Sequence, residues 1–238
     1  AVDGQKTDGV ESLLRELRAR TTVSPPLSKA HGKLFSFAAG QALSDWLAPA
    51  RQHIAGGFVT APGLFSADGP DPGTVLLAHA LPKRLPATVA ELGAGWGFLA
   101  HAALTRAGVE RLHLVEANHE TLDCARENVR DPRAVFHWAD ARLWEPEAPL
   151  GGVISNPPFH GGRRADPALG RAFIAAAARM LAPSGRLWLV ANRHLPYEAE
   201  LGRCFGTWRE IAGDPRYKIL EAARPRRDAQ RAGATEGR

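Results

Sequence analysis

The chain has 238 residues, 45% of them hydrophobic and 23% charged, a globular composition that suits one sizeable core plus an extension better than two full domains. It holds no run of about 18 apolar residues, which excludes a helical membrane span. A formal net charge of +5 suits a nucleic-acid partner, although an arginine-rich chain with five lysines has an equally good source in codon usage.

The opening residues lack the charged-then-apolar pattern of an export signal. Cys124 and Cys204 have no metal-type spacing, so reduced thiols, a cytoplasmic location and no metal site are expected. Residues 10–20, VESLLRELRAR, read as an amphipathic helix broken by TTVSPP. The stretch KLFSFAAGQALSDWLAP is mixed in pattern. IAGGFVTAPGLFSADGPDPG reads as a loop or short hairpin, and GTVLLAHAL as a helix ended by Pro82.

From residue 87 the pattern becomes regular. ATVAELG is a short strand, WGFLAHAALTRAG a helix stopped by Gly108, RLHLVEAN a strand and HETLDCARENV a helix. AVFHWAD and GGVISN are strands. ALGRAFIAAAARML is a helix, followed by the turn APSG and the strand RLWLVAN. TWREIAG and YKILEAAR form an antiparallel pair around Asp214-Pro215. This alternation predicts an α/β fold: a mainly parallel sheet with helices on both faces and a C-terminal antiparallel hairpin. The last residues, 225–238, are basic without apolar periodicity and read as a disordered, solvated tail.

Chemistry concentrates in two stretches. ELGAGWG leaves a strand and enters a helix. Gly93, Gly95 and Gly97 there allow a tight turn and close approach of a ligand, as in a nucleotide-type cofactor cradle. The spacing is G-x-G-x-G, not the dinucleotide fingerprint. Glu116 ends the next strand about 20 residues later, where a carboxylate accepts ribose hydroxyls. Asp140 ends the third strand. It suits either an adenine amino group or a helix N-cap before ARLW.

The second stretch is ISNPPFHGG. Pro157 and Pro158 cannot donate backbone hydrogen bonds and stop the strand. An amine held by the Asn156 side-chain oxygen and the Pro157 carbonyl would have its lone pair turned out of conjugation, and the prolines would stiffen that geometry. Phe159 can stack on a base. Ordinary Asn-Pro turn chemistry is the plain alternative.

ELGAGWG, VEAN and SNPPF together resemble class I S-adenosylmethionine-dependent methyltransferases acting on exocyclic amines. With APGLFSADGPDPGT and VANRHLPYE, the chain is similar to the small-subunit ribosomal RNA guanine-N2 methyltransferases. The resemblance covers roughly residues 57–224 and implies a Rossmann-like seven-stranded sheet, with S-adenosyl-L-methionine as cofactor and small-subunit rRNA as partner. It implies that Asn156, Pro157 and Phe159 hold the target guanine. Gly93, Gly95 and Glu116 would hold the cofactor, with Asp140, Asn156 and the adjoining Glu91, Ala94, Gly97 and Ala117. Phe65, Ser66 and Asp68 match the segment covering its methionine end. Members of this family carry a degenerate methyltransferase-like domain ahead of the matching half, and residues 1–56, read as an extension, are too few for one.

Pro158, His160, Arg163 and Arg164 are substrate-side candidates, the arginines for phosphates. His194 and Tyr197 could line the same cleft, and Trp96 could pack near the cofactor. His101 and His113 read as helix-face and strand residues. Other planar amines (adenine N6, cytosine N4, a glutamine amide) and a non-catalytic cofactor- or RNA-binding module are the competing functions. A nicotinamide dehydrogenase ranks last, since it needs the other glycine spacing and leaves NPPF without a role.

Overall fold

The computed structural model describes residues 1–158, 160–161, 164–165 and 167–226, with backbone alone at 160, 161, 164 and 165. The chain divides into two compact units, Ala1–Ala50 and Arg51–Arg238. In the first, β1 (Val2–Gln5), β2 (Leu27–Lys29) and β3 (Gly32–Phe35) form an antiparallel sheet in the order β1-β3-β2. Helix α1 (Val10–Arg20) buries Val10, Leu14 and Leu17 with Phe35. That i, i+4, i+7 stripe is the periodicity that predicts the helix. The three strands carry no such signal, because they are three or four residues long and mostly face solvent. The stretch of mixed pattern holds β3 and a 3-10 helix, Gln41–Trp46.

The second unit opens with the hairpin β4 (Gln52–His53) and β5 (Val59–Thr60), as the glycines and prolines there predict. Asn128 holds it: its Oδ1 accepts the Val59 N–H at 2.7 Å and its Nδ2 donates to the Val59 carbonyl at 2.8 Å. Helix α2 (Pro72–Ala80) follows, with Asp71 as N-cap and Pro72 in its first turn, a favoured start. Then come β6 (Thr88–Leu92), α3 (Phe98–Leu104), β7 (Arg111–Glu116), α4 (His119–Asn128) and β8 (Ala134–Trp138). After these come β9 (Leu150–Ser155), the short pair β10 (His160–Gly161) and β11 (Arg164–Ala165), and α5 (Pro167–Met180). The chain continues through β12 (Leu181–Asn192), α6 (Glu198–Cys204), β13 (Phe205–Gly213) and β14 (Tyr217–Pro225).

Seven strands form one sheet in the order β13-β14-β12-β9-β6-β7-β8. β14, lying between β12 and β13, pairs antiparallel with both, and the other neighbours in it pair parallel. Residues along each strand alternate between two helical layers. On β12, Leu187, Leu189 and Ala191 meet the α5 and α6 side, whereas Trp188 and Val190 meet the α2, α3 and α4 side. This is a Rossmann-like sheet covered on both faces, and double coverage is why its strands read as apolar runs.

Three elements depart from the sequence reading. Helix α3 ends at Leu104, before Gly108. Gly108 instead sits in the following turn with φ +92, where a Cβ would lie 2.4 Å from the Leu85 carbonyl oxygen. Strand β12 starts at Leu181, and its pairing with β9 shifts register between Leu181 and Arg186, where the APSG turn was expected. Helix α6 was not anticipated, because seven residues are too short to establish a period. Among the described residues no helix is long and apolar enough to cross a membrane, and no group of side chains suits a metal ion. Both cysteines are buried and unbridged.

Candidate active site

β6 lies between β7 and β9. The chain runs outward through β7 and β8, then returns to place β9 on the other side of β6. Strand order reverses there, and ligands of such sheets bind beyond the carboxyl ends of the strands at that reversal. Leu92 pairs with Ser155, and the Ser155 hydroxyl donates to the Leu92 carbonyl at 2.8 Å. The glycine loop and Asn156 therefore leave the sheet side by side.

Loop 93–97 is tied to the end of β7. The Gly93 and Ala94 N–H groups donate to the Val115 carbonyl at 2.9 and 3.1 Å. The Gly95 N–H donates to Glu116 Oε2 at 3.0 Å, and Glu116 Oε1 accepts the Asn118 N–H at 2.9 Å. Gly95 has φ +56, and a Cβ there would meet nothing within 4 Å. Gly97 has φ +92, and a Cβ there would lie 2.9 Å from Val129 Cγ2. One glycine keeps a cradle open; the other lets α3 approach α4.

The loop borders a cleft, which Phe65, Ser66, Glu91, Trp96 and Asn156 also line. Glu91 Oε2 is buried without a hydrogen-bond partner among the described residues. Burial, and then the charge of Glu116, push the Glu91 carboxyl well above the usual carboxylate range. A buried carboxylate oxygen without a partner costs free energy, even though the Ala100 backbone gives the carboxyl one hydrogen bond. A cationic group in the cleft would relieve it, and the methionine ammonium of S-adenosylmethionine is such a group. The residues present thus fit that cofactor: an open glycine cradle, a strand-end carboxylate at Glu116 and a buried acid at Glu91 with one unpartnered oxygen.

A second recess lies beside the cleft, lined by Pro157, Asn192, Leu195, Tyr197 and Tyr217. Asp71 and Asn156 border both. The Asn156 Nδ2 donates to Asp71 Oδ2 at 3.1 Å and to Thr74 Oγ1 at 2.7 Å. Pro157 is buried and Pro158 exposed.

The other expected residues are placed as follows. Phe65 and Ser66 line the cleft, and the Ser66 carbonyl accepts the Trp96 indole N–H at 3.2 Å. Asp68 and Ala117 are exposed and outside its lining; the Ala117 carbonyl accepts the Trp138 indole N–H at 2.9 Å. The Asp140 carboxylate is held by Arg142, through its backbone N–H and its Nε, both at 2.9 Å. The Arg142 side chain holds that carboxyl below its usual range. Nothing among the described contacts directs Asp140 at the cleft. Phe159 and Arg163 lie outside the described residues, as do the side chains of His160 and Arg164, whose backbones belong to β10 and β11. The tail expected at 225–238 lies outside them from residue 227. His194 is exposed, whereas Tyr197 is buried in the second recess. His101 meets Phe58 edge-on, and His113 stacks on His137.

Asp71, Thr74, Asn192 and Tyr217 were not singled out from the sequence. Asp-Pro-Gly-Thr before an apolar helix is an N-cap signature, so Asp71 was detectable as a cap. Its contact with Asn156 was not, since the two are 85 residues apart.

Comparisons with known proteins follow this geometry. The profile of the methyltransferase small domain matches residues 55–221. The ribosomal RNA large subunit methyltransferase G of Streptomyces avermitilis is 35% identical over 68% of this chain and 44% of its own length. The ribosomal RNA small subunit methyltransferase C of Hahella chejuensis is 31% identical over 69% of this chain and 48% of its own. The chain thus spans under half the length of these relatives. A T. thermophilus 16S rRNA N2-guanine methyltransferase, solved with AdoMet and guanosine, superposes with a TM-score of 0.71 at 27% identity, covering 93% of this chain and 63% of that one.

Proposed function

Since the chain belongs to the methyltransferase small domain family, we propose that it moves a methyl group from S-adenosylmethionine to an exocyclic amine of a ribosomal RNA base, with guanine N2 as acceptor. The observation that carries this reading is the position of Asn156 between two recesses, one under the glycine loop and one under β12 and β14. A cofactor in the first and a base in the second would meet at Asn156.

When bound, S-adenosylmethionine supplies an electrophilic methyl carbon on a sulfonium sulfur. The backbone of loop 93–97 would cradle it, Glu116 would accept its ribose hydroxyls, and Glu91 would face its ammonium. Asn156 Oδ1 and the Pro157 carbonyl would accept the hydrogens of the base amine, turning its lone pair toward the methyl carbon. The methylated amine would then give up its proton to solvent, so the chain's own residues would orient the amine and need not supply a strong base. Orientation of this kind can account for several kcal/mol of a barrier, about 7–11 in well-aligned systems. Asn192 and Tyr217 bring a polar amide and an aromatic ring to the base recess.

The superposition on a small-subunit enzyme solved with guanosine supports small-subunit rRNA as the acceptor. The relative from Streptomyces avermitilis favours the large subunit instead. The test is transfer of label from methyl-tritiated S-adenosylmethionine to separated 16S and 23S rRNA, naked and in assembled subunits. Digestion to nucleosides follows. The expected product is N2-methylguanosine, absent with Asn156→Ala. Label in methyladenosine, methylcytidine or protein would overturn the guanine assignment, and the labelled rRNA identifies the subunit.

A further inference from the structure

We infer that Asp71 and Thr74 are positioning residues: they hold the Asn156 amide one way round, so that its oxygen, and not its nitrogen, is offered to the base amine. The inference rests on the reading of Asn156 given above.

An amide side chain has a donor end and an acceptor end of nearly equal shape. Only the oxygen can accept a hydrogen from an amine. A turned amide would present N–H groups to N–H groups, and the site would repel its substrate. Something must therefore fix the amide, and Pro157 after it fixes only the backbone.

The contacts around Asn156 do this. An ionised carboxylate has no proton to donate, so Asp71 Oδ2 can only accept from Asn156, at 3.1 Å. Thr74 Oγ1 lies 2.7 Å from the same Nδ2 and 3.2 Å from Asp71 Oδ2. Its single proton goes to the carboxylate, which leaves its lone pairs for Asn156. Both neighbours accept from the Nδ2 end of the amide, and Oδ1 is directed away from them. A turned amide would set an oxygen against a carboxylate and a hydroxyl lone pair.

The device is itself stiff. Asp71 caps α2 through the Thr74 N–H at 2.8 Å. Tyr217 packs against Gly73 so closely that a Cβ there would lie 2.9 Å from its ring. The first turn of α2 is thus wedged against β14, and the carboxylate cannot follow a turning amide.

The test uses Asp71→Asn, Thr74→Val and Thr74→Ser in the full chain, with Asn156→Ala as reference. Asparagine caps helices as well as aspartate, so Asp71→Asn should leave the melting temperature nearly unchanged. Because Asp71 also borders the cofactor cleft, calorimetric affinity for S-adenosylmethionine should fall by less than kcat does in this variant. Its own amide can turn, however, and would no longer dictate the orientation of Asn156. The expected result is a kcat lower by about 10- to 100-fold, the scale set by small misplacements of reacting groups. A weaker affinity for the target RNA fragment, measured with S-adenosylhomocysteine present, should accompany it. Thr74→Val should show the same split, and Thr74→Ser, which restores the hydroxyl, should recover turnover relative to it. In the Asn156→Ala background Asp71→Asn should change little further, because residues acting through one group are not additive. Full kcat in both Asp71→Asn and Thr74→Val overturns the inference. So does a loss confined to cofactor affinity, or a full additional loss on top of Asn156→Ala. If Asn156→Ala itself turns over at the wild-type rate, the reading of the site fails first. Should Asp71→Asn unfold, the Thr74 pair decides.

Discussion

Glu91 shows how much one side chain depends on what enters the cleft. It is the penultimate residue of β6, is 3% exposed, and has a carboxyl raised by burial and by Glu116. Without a ligand it favours the protonated form above the pH at which the unfolded chain ionises. That costs stability as pH rises through this window, because there the native state binds more protons than the unfolded state. An ammonium group in the cleft favours the carboxylate, so binding releases a proton and affinity must rise with pH. The measurement is calorimetric affinity for S-adenosylmethionine below about pH 7, where an α-amino group stays protonated. Glu91→Gln should bind roughly 10- to 100-fold more weakly, the worth of a hydrogen bond to a charged group. It should also lose the pH slope. A variant that keeps the slope would show that the proton comes from elsewhere. The acid itself is visible in ELGAGWG, but its one unpartnered oxygen is not, since that depends on everything packed around it.

At the scale of one element, the turn from β6 into α3 separates two uses of glycine that look identical in sequence. At Gly97, φ is +92 and a Cβ would press on Val129 Cγ2 at 2.9 Å and on the Ala125 Cα at 3.4 Å. Gly97→Ala combines left-handed backbone strain with overpacking, together about 2–5 kcal/mol. In a chain of this size each kcal/mol lowers the melting temperature by roughly 2–4 °C. At Gly95 a Cβ meets nothing and projects into open space. Gly95→Ala should therefore cost only the backbone strain, about 1–2 kcal/mol, yet weaken cofactor binding more than Gly97→Ala does. Melting curves and calorimetry on the two variants check this, and an equal loss of binding in both would contradict the division. The strand–glycine–helix unit was legible because each part carries its own local signal. The assignment of each glycine was not, because the neighbour of Gly97 lies on α4, another element.

Across the whole molecule, the β7–β8 pair brings His113 and His137 together from well-separated places in the chain. Their rings stack, with His113 Nδ1 2.9 Å from His137 Nε2, and Trp144 packs on both. Burial, then the charge of His137, then that of Arg111 lower His113 to about 4, while Glu147 opposes; His137 is also lowered by burial. A base with a depressed folded pKa binds fewer protons in the native state than in the unfolded one. Stability is thus retained above the unfolded value near 6.5 and declines as pH falls from there toward about 4. Urea unfolding between pH 7 and 5 should show this decline, and His113→Phe should flatten it. An unchanged slope in that variant would assign the decline to other groups.

Sequence alone determined the parts that rest on short-range physics. The apolar runs of β6, β7 and β9, the stripe of α1, the stop at Pro157-Pro158 and the hairpin of β13 and β14 follow from periodicity and from residues that cannot continue a strand or helix. It also brought Gly95, Glu116 and Asn156 forward as candidates, since their residue types and places at strand ends carry chemistry by themselves. The tertiary structure returns β9 beside β6, so that Asn156 stands at the glycine loop. It alone decided what the acids touch: Glu91 lines the cleft, Asp140 is held by Arg142, and Asp71 accepts from the Asn156 amide. The reason is the same in each case. A carboxylate acts through the donors within about 3 Å of it, and here the decisive ones come from elements whose pairing depends on closing long loops of chain.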